Sequence, residues 1–102
     1  MAFLRAAKME EIPPGTIREI QVDGNKAVAL ANVEGKLYAI NNTCLHRGGP
    51  LGQGELLGKT VTCPWHGWQY DVTTGKILMN PTVGVECYPV ELRGDDIFID
   101  VG

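Results

Sequence analysis

Apolar and polar residues alternate along most of this chain in short runs, and Gly, Pro, Asn and Asp cut the runs apart. Alternation of period two marks half-buried strands, and no window carries the spacing of an amphipathic helix. Met1 to Met9 reads as an edge strand. Glu10 to Gly15 reads as a loop, because Pro13, Pro14 and Gly15 cannot continue a ladder. Thr16 to Val22, Lys26 to Val33 and Leu37 to Ile40 form an expected meander, turned at Asp23-Gly24 and Glu34-Gly35. Near the far end, Val85 to Leu92 places Tyr88, Val90 and Leu92 on one face. The chain then turns at Gly94-Asp95-Asp96 and returns through Ile97 to Val101, with Ile97, Ile99 and Val101 together. The expected fold class is all-β, built from antiparallel sheets.

Between the two β-rich arms the pattern breaks. Residues 42–84 hold eight of the 13 glycines, three prolines and both tryptophans. Each glycine loses much backbone freedom on ordering, so such a stretch needs a staple beyond apolar burial. A metal centre is one such staple. The chain therefore reads as a single domain, 1–102, with a loop-rich insert at about 42–84 on a β base.

Inside that insert lie Cys44-Leu45-His46 and Cys63-Pro64-Trp65-His66, a C-x-H pair and a C-x-x-H pair. They hold both histidines and two of the three cysteines of the protein. Thiolate and imidazole are the side chains that take iron, zinc or copper at neutral pH. Structural zinc sites pair like with like, as C-x-x-C and H-x-x-x-H. Here each loop gives one thiolate and one imidazole, a mixture that suits two irons, with Cys44 and Cys63 on one and His46 and His66 on the other. That is the ligation of a 2Fe–2S centre in which two histidines replace two cysteines. Zinc remains the alternative.

The segments CLHRGGPLG (Cys44 to Gly52) and CPWHGWQYD (Cys63 to Asp71) resemble the two cluster-binding loops of Rieske proteins. Asn80-Pro81 and the ending YPVELRGDDIFID are similar to small Rieske ferredoxins of bacterial multicomponent oxygenases, so the resemblance spans essentially the whole chain. It implies a Rieske fold, an antiparallel sandwich or barrel-like base with the cluster at one tip. It also implies Cys44 and Cys63 on the inner iron, and His46 and His66 on the outer one.

The chain departs from the respiratory-complex members of that family in two ways. Their loop disulfide would join the positions of Gly49 and Trp65, and their cluster-bonding serine would stand at Trp68. Tyr70 matches their tyrosine. Fewer hydrogen bonds to cluster sulfur make reduction harder, so the potential is expected near the low end of a range of about −150 to +300 mV.

Function follows from what the chain lacks. Rieske oxygenases add a mononuclear iron held by two histidines and a carboxylate, and both histidines here are already assigned. The resemblance implies a one-electron carrier, not an enzyme, working as a monomer between a flavin-dependent ferredoxin reductase and a terminal oxygenase. The small Rieske-type subunit of a nitrite reductase is an alternative, and a structural zinc protein or iron sensor is another of a different class. Net charge is −3, with no run of Lys or Arg to follow a phosphate backbone, which argues against nucleic acid. The acidic balance is compatible with docking on basic surfaces. No stretch approaches the roughly 18 to 20 apolar residues of a membrane span. Met1 to Met9 lacks the apolar core and cleavage site of a signal, and three cysteines do not make a disulfide framework. A cytoplasmic setting is expected.

Other residues carry weaker expectations. Cys87 reads as a buried, inert strand thiol. Trp65 and Trp68 either shield the centre or pack within the loops. Arg47 reads as a solvated loop residue or a partner contact, and Asp95-Asp96 as a turn. By resemblance, Pro81 belongs to a third loop over the cluster. Gly48, Gly49 and Gly67 are expected to allow tight turns whose N–H groups point at sulfide.

Two ferric ions, two sulfides and two thiolates sum to zero with neutral imidazoles, so reduction leaves −1, two units less negative than an all-cysteine cluster. Each imidazole binds through one nitrogen and keeps a second that can ionise. Losing that proton adds negative charge and disfavours an added electron. The midpoint potential is expected to fall as pH rises into the alkaline range, as protein-film voltammetry will show; a flat profile contradicts histidine ligation.

Overall fold

The structure is a computed structural model and describes residues 3–22, 26–45, 48–65 and 67–101. The Asp23-Gly24 turn, His46, Arg47 and His66 lie outside the described residues.

The spine is the strand β3 (Ala27–Val33), whose sequence AVALANV has no alternation because both of its faces are covered. Ala29 and Ala31 face a core shared with Ile40, Cys44, Cys63 and Tyr70. Val28 and Leu30 face a second core with Ile12, Tyr88, Ile97 and Ile99. β3 lies between β2 (Thr16–Gln21) and β4 (Lys36–Asn41), both antiparallel to it, and β8 (Cys87–Tyr88) adds to the outer edge of β4. This is the expected meander, with its ends shifted by a residue or two.

A second sheet closes the base. β10 (Asp96–Ile99) pairs antiparallel with β1 (Leu4–Lys8) on one side and β9 (Val90–Arg93) on the other, so the N-terminal strand is an edge strand as expected. Ile97 and Ile99 are fully buried on the inner face. The expected single strand from Val85 to Leu92 is instead divided at Pro89, which has no N–H for a ladder. Its first part pairs with β4 and its second with β10. Leu92 pairs with Ile97 and so keeps to the inner face with Val90, but near the end of its strand it is half exposed.

The insert has more order than its glycines led us to expect. It contains a third antiparallel sheet of three-residue strands, β5 (Glu55–Leu57), β6 (Thr60–Thr62) and β7 (Gln69–Asp71). Each turns one side chain inward, Leu56, Val61 and Tyr70, into the core it shares with β3. The insert is seated on β2 through a helical turn, Leu51–Gln53, where a Cβ on Gly52 would stand 2.5 Å from the backbone of Glu19. Only glycine permits that approach. Apart from this turn and Met9–Glu11, no helix occurs among the described residues. No helix among them is long and apolar enough to cross a membrane.

Asn32 ties the base together. It is fully buried, its Nδ2 donates to Ile12 O at 2.7 Å, and its Oδ1 accepts from Gly35 N at 2.7 Å. The second bond holds the Glu34-Gly35 turn, where both residues have positive φ. Asn32→Ala strands a buried carbonyl and a turn N–H, and should cost about 2 kcal/mol. Denaturant unfolding followed by circular dichroism measures this; a loss under about 0.5 kcal/mol, less than one net hydrogen bond, contradicts the role.

Candidate metal centre

Two loops of the same design converge on the core side of β3. The first follows β4. Asn42 Oδ1 accepts from Gly52 N at 2.7 Å, and Leu51 N donates to Asn42 O at 2.7 Å, which fixes the root of the loop. Cys44 N then donates to Gly49 O at 2.9 Å. The second loop joins β6 to β7, and there Cys63 N donates to Trp68 O at 2.7 Å. Each six-residue loop is thus closed by a bond from its first residue, a cysteine, to the carbonyl of its last. The histidine of each pair, His46 or His66, falls inside the closed segment in sequence and outside the described residues.

The two cysteines meet. Cys44 and Cys63 are each 2% exposed, both are free thiols, and their side chains are within hydrogen-bonding reach of one another. Gly49 makes this possible. A Cβ at residue 49 would lie 2.8 Å from Cys63 Sγ and 3.0 Å from Trp65 Cβ, so any larger residue would force the loops apart. The positive φ of Gly48 and Gly67, 72° and 76°, accounts for the turns expected there. One expectation is corrected: the Gly48 N–H does not point at the centre but donates to Cys44 O at 2.9 Å, closing the turn.

Tyr70 reaches into the site from β7. It is fully buried, and its hydroxyl oxygen accepts from Leu45 N at 2.9 Å while lying 3.2 Å from Cys44 Sγ. Because Leu45 N–H occupies the oxygen, the hydroxyl proton is free for a thiolate at Cys44. Burial, then the neighbouring Cys44, push the Tyr70 hydroxyl well above its usual range, so it remains a donor at any physiological pH. Burial also pushes the Cys63 thiol up and Cys44 beside it adds to the effect, against a backbone N–H from Trp65.

This donor set fits an iron–sulfur cluster. Burial, with Cys44 beside it, holds the Cys63 thiol against ionising, and a cation at that sulfur removes the penalty. No lysine or arginine is buried among the described residues to do so.

The remaining sequence candidates fall in different places. Trp68 is partly buried against the core, whereas Trp65 is half exposed on the second loop. Pro81 is exposed in a third loop, held by Ile77 N to Val83 O at 2.9 Å and by Leu78 N to Gln69 O at 3.0 Å. Asp95 is an exposed turn residue. Cys87 is corrected: it is an exposed thiol, on a two-residue strand at the edge of its sheet. Sequence reasoning missed the structural work of Asn42, although a pair of carboxamides, Asn41-Asn42, just before a ligand loop is a recognisable turn signal.

Comparison with known proteins adds to the geometry. Residues 2–89 match the Rieske 2Fe-2S domain family. The chain is 37% identical over 100 residues to the ferredoxin component of a naphthalene 1,2-dioxygenase system from Pseudomonas aeruginosa, covering 97% of this chain and 95% of that one. It is 38% identical over 103 residues to the 3-phenylpropionate/cinnamic acid dioxygenase ferredoxin subunit of Shigella flexneri, covering 99% and 95%. It also superposes, with a TM-score of 0.86 and 30% identity over 95% of its length and 91% of the other, on a chain in the complex of reduced oxygenase and oxidized ferredoxin of carbazole 1,9a-dioxygenase.

Removing the Tyr70 hydroxyl takes a hydrogen bond from a sulfur that becomes more negative on reduction. Tyr70→Phe should lower the midpoint potential by about 50 mV, the equivalent of about 1 kcal/mol for one electron. A spectroelectrochemical titration within 10 mV or so of the unmodified protein would contradict the bond's role.

Proposed function

The chain belongs to the Rieske 2Fe-2S family and carries that cluster, and we propose that Cys44, His46, Cys63 and His66 hold it for one-electron transfer to a terminal oxygenase. The observation that carries the reading is the meeting of two buried free thiols, Cys44 and Cys63, each at the start of a closed loop that contains one histidine in sequence. The cluster supplies reversible one-electron chemistry. The chain's part is to hold the thiolates in a dry core and to offer the Tyr70 hydroxyl to Cys44.

The similar proteins are electron-transfer components of aromatic dioxygenase systems. By that similarity the electron comes from a flavin-dependent ferredoxin reductase and goes to an aromatic-ring-hydroxylating oxygenase. Residues 1–102 serve as one unit with the insert 42–84 as its redox tip, acting as a cytoplasmic monomer at the low end of the Rieske potential range. Lack of a serine hydroxyl at Trp68 supports the low potential.

Reconstitution tests the reading. The iron-loaded protein, with a ferredoxin reductase and NADH, should sustain product formation by the oxygenase component of a naphthalene or 3-phenylpropionate dioxygenase system. His66→Cys should retain a coloured cluster but shift the potential down by hundreds of millivolts, toward about −400 mV, and abolish turnover. Turnover with neither oxygenase, or full turnover by His66→Cys, contradicts the assignment.

A further inference from the structure

The tip of the insert carries almost no charge. Segments 42–54, 62–70 and 77–85, together 31 residues, include only Arg47 of the chain's 21 charged residues. The structure ties the described residues of these segments together. Tyr70 joins the first loop to the third sheet through Leu45 N, and Cys63 N to Trp68 O closes the second loop beside it. Gln69 O then accepts from Leu78 N, and Ile77 bridges to Tyr70, which runs the third loop alongside the second.

The same surface gathers exposed apolar side chains. Leu45 in the first loop, Trp65 in the second, and Leu78, Met79 and Val83 in the third are all substantially exposed, with Met79 at 73%. Among the described residues only three other large apolar side chains are so exposed, and none belongs to this surface. Leu57, for example, sits at the β5–β6 turn, the end of that hairpin away from Cys63. Within the third loop, Asn80 Oδ1 accepts from Thr82 Oγ1 at 2.6 Å and Asn80 O accepts from Val83 N at 3.0 Å, so Met79 is presented from a braced turn.

Contiguous exposed apolar surface marks an interaction site, and depletion of charge is the compositional mark of an interface core. Resting on the functional reading above, we propose that this uncharged tip, centred on Met79 and Trp65, docks in an equally uncharged, apolar recess of the terminal oxygenase. Association is driven by desolvation, and charge attraction contributes little, despite the chain's net charge of −3. A ferredoxin–oxygenase complex exists for a chain of the same fold, which fits such an occupant. One electron leaves the reduced carrier across this contact and is taken up by the oxygenase's own redox centre.

The test follows oxidation of the dithionite-reduced protein by the oxygenase component of a naphthalene 1,2-dioxygenase system in stopped flow. Oxidation of the unmodified protein comes first: if there is none, the functional reading fails and the docking proposal with it. Met79→Glu should then slow the second-order rate about tenfold or more, while its visible spectrum and midpoint potential stay those of the unmodified protein. Leu57→Glu, equally exposed, should leave the rate unchanged. Raising NaCl from about 0.05 to 0.5 M should change the unmodified rate by less than about threefold, since a charge-steered encounter would fall far more. The docking proposal alone is overturned if Met79→Glu matches Leu57→Glu, or if salt slows the unmodified protein about tenfold. It is overturned as well if Met79→Glu impairs only reduction by the reductase, which would make the reductase the occupant.

Discussion

Everything at the redox end depends on bringing two sulfur atoms together inside a dry core. Cys44 and Cys63 come from separate loops and are almost fully buried, and burial, with Cys44 beside it, pushes the Cys63 thiol up. Ionising a buried thiol has an electrostatic cost, and a metal cation at the sulfur offsets it. The choice of residues around it follows. Gly49 is required because any Cβ would collide with Cys63 Sγ. Ala29 and Ala31 keep the β3 face small where the insert packs on it.

The base and the tip divide the work. β3 is covered on both faces, so the insert rests on a strand that is itself held by Ile97, Ile99 and Tyr88 from behind. A rigid support matters for an electron carrier, since movement of the ligands with each change of charge would slow transfer. Both loops are closed by the same cysteine-to-carbonyl bond, and Tyr70 connects one loop to the sheet that carries the other. Bracing by hydrogen bonds and by Trp65 over Gly49 takes the place of a covalent link between the loops.

Much of this was legible in the residues. The C-x-H and C-x-x-H pairs pointed to a metal centre because paired ligands of mixed type argue against most alternatives, and their two cysteines meet in the core. The meander was legible because β2, β3 and β4 are long, with turn residues between them. The three strands of the insert were not, since three residues with one inward side chain carry no period, and pairing across the sheet decides them. Pro89 is a readable strand breaker, and it separates two strands that belong to different sheets. The exposure of Cys87 was not legible, because burial at an edge strand depends on what lies over it. The uncharged tip was present in the sequence from the start, spread over three segments that only the fold makes adjacent.

The central claim is that two thiolates and two imidazoles share one cluster. The most direct measurement is electron paramagnetic resonance of the dithionite-reduced protein, produced with 15N-labelled histidine. The account predicts a rhombic spectrum of low average g with hyperfine coupling to two histidine nitrogens. A spectrum typical of an all-thiolate cluster with no 15N coupling, or a colourless protein holding zinc, would contradict it.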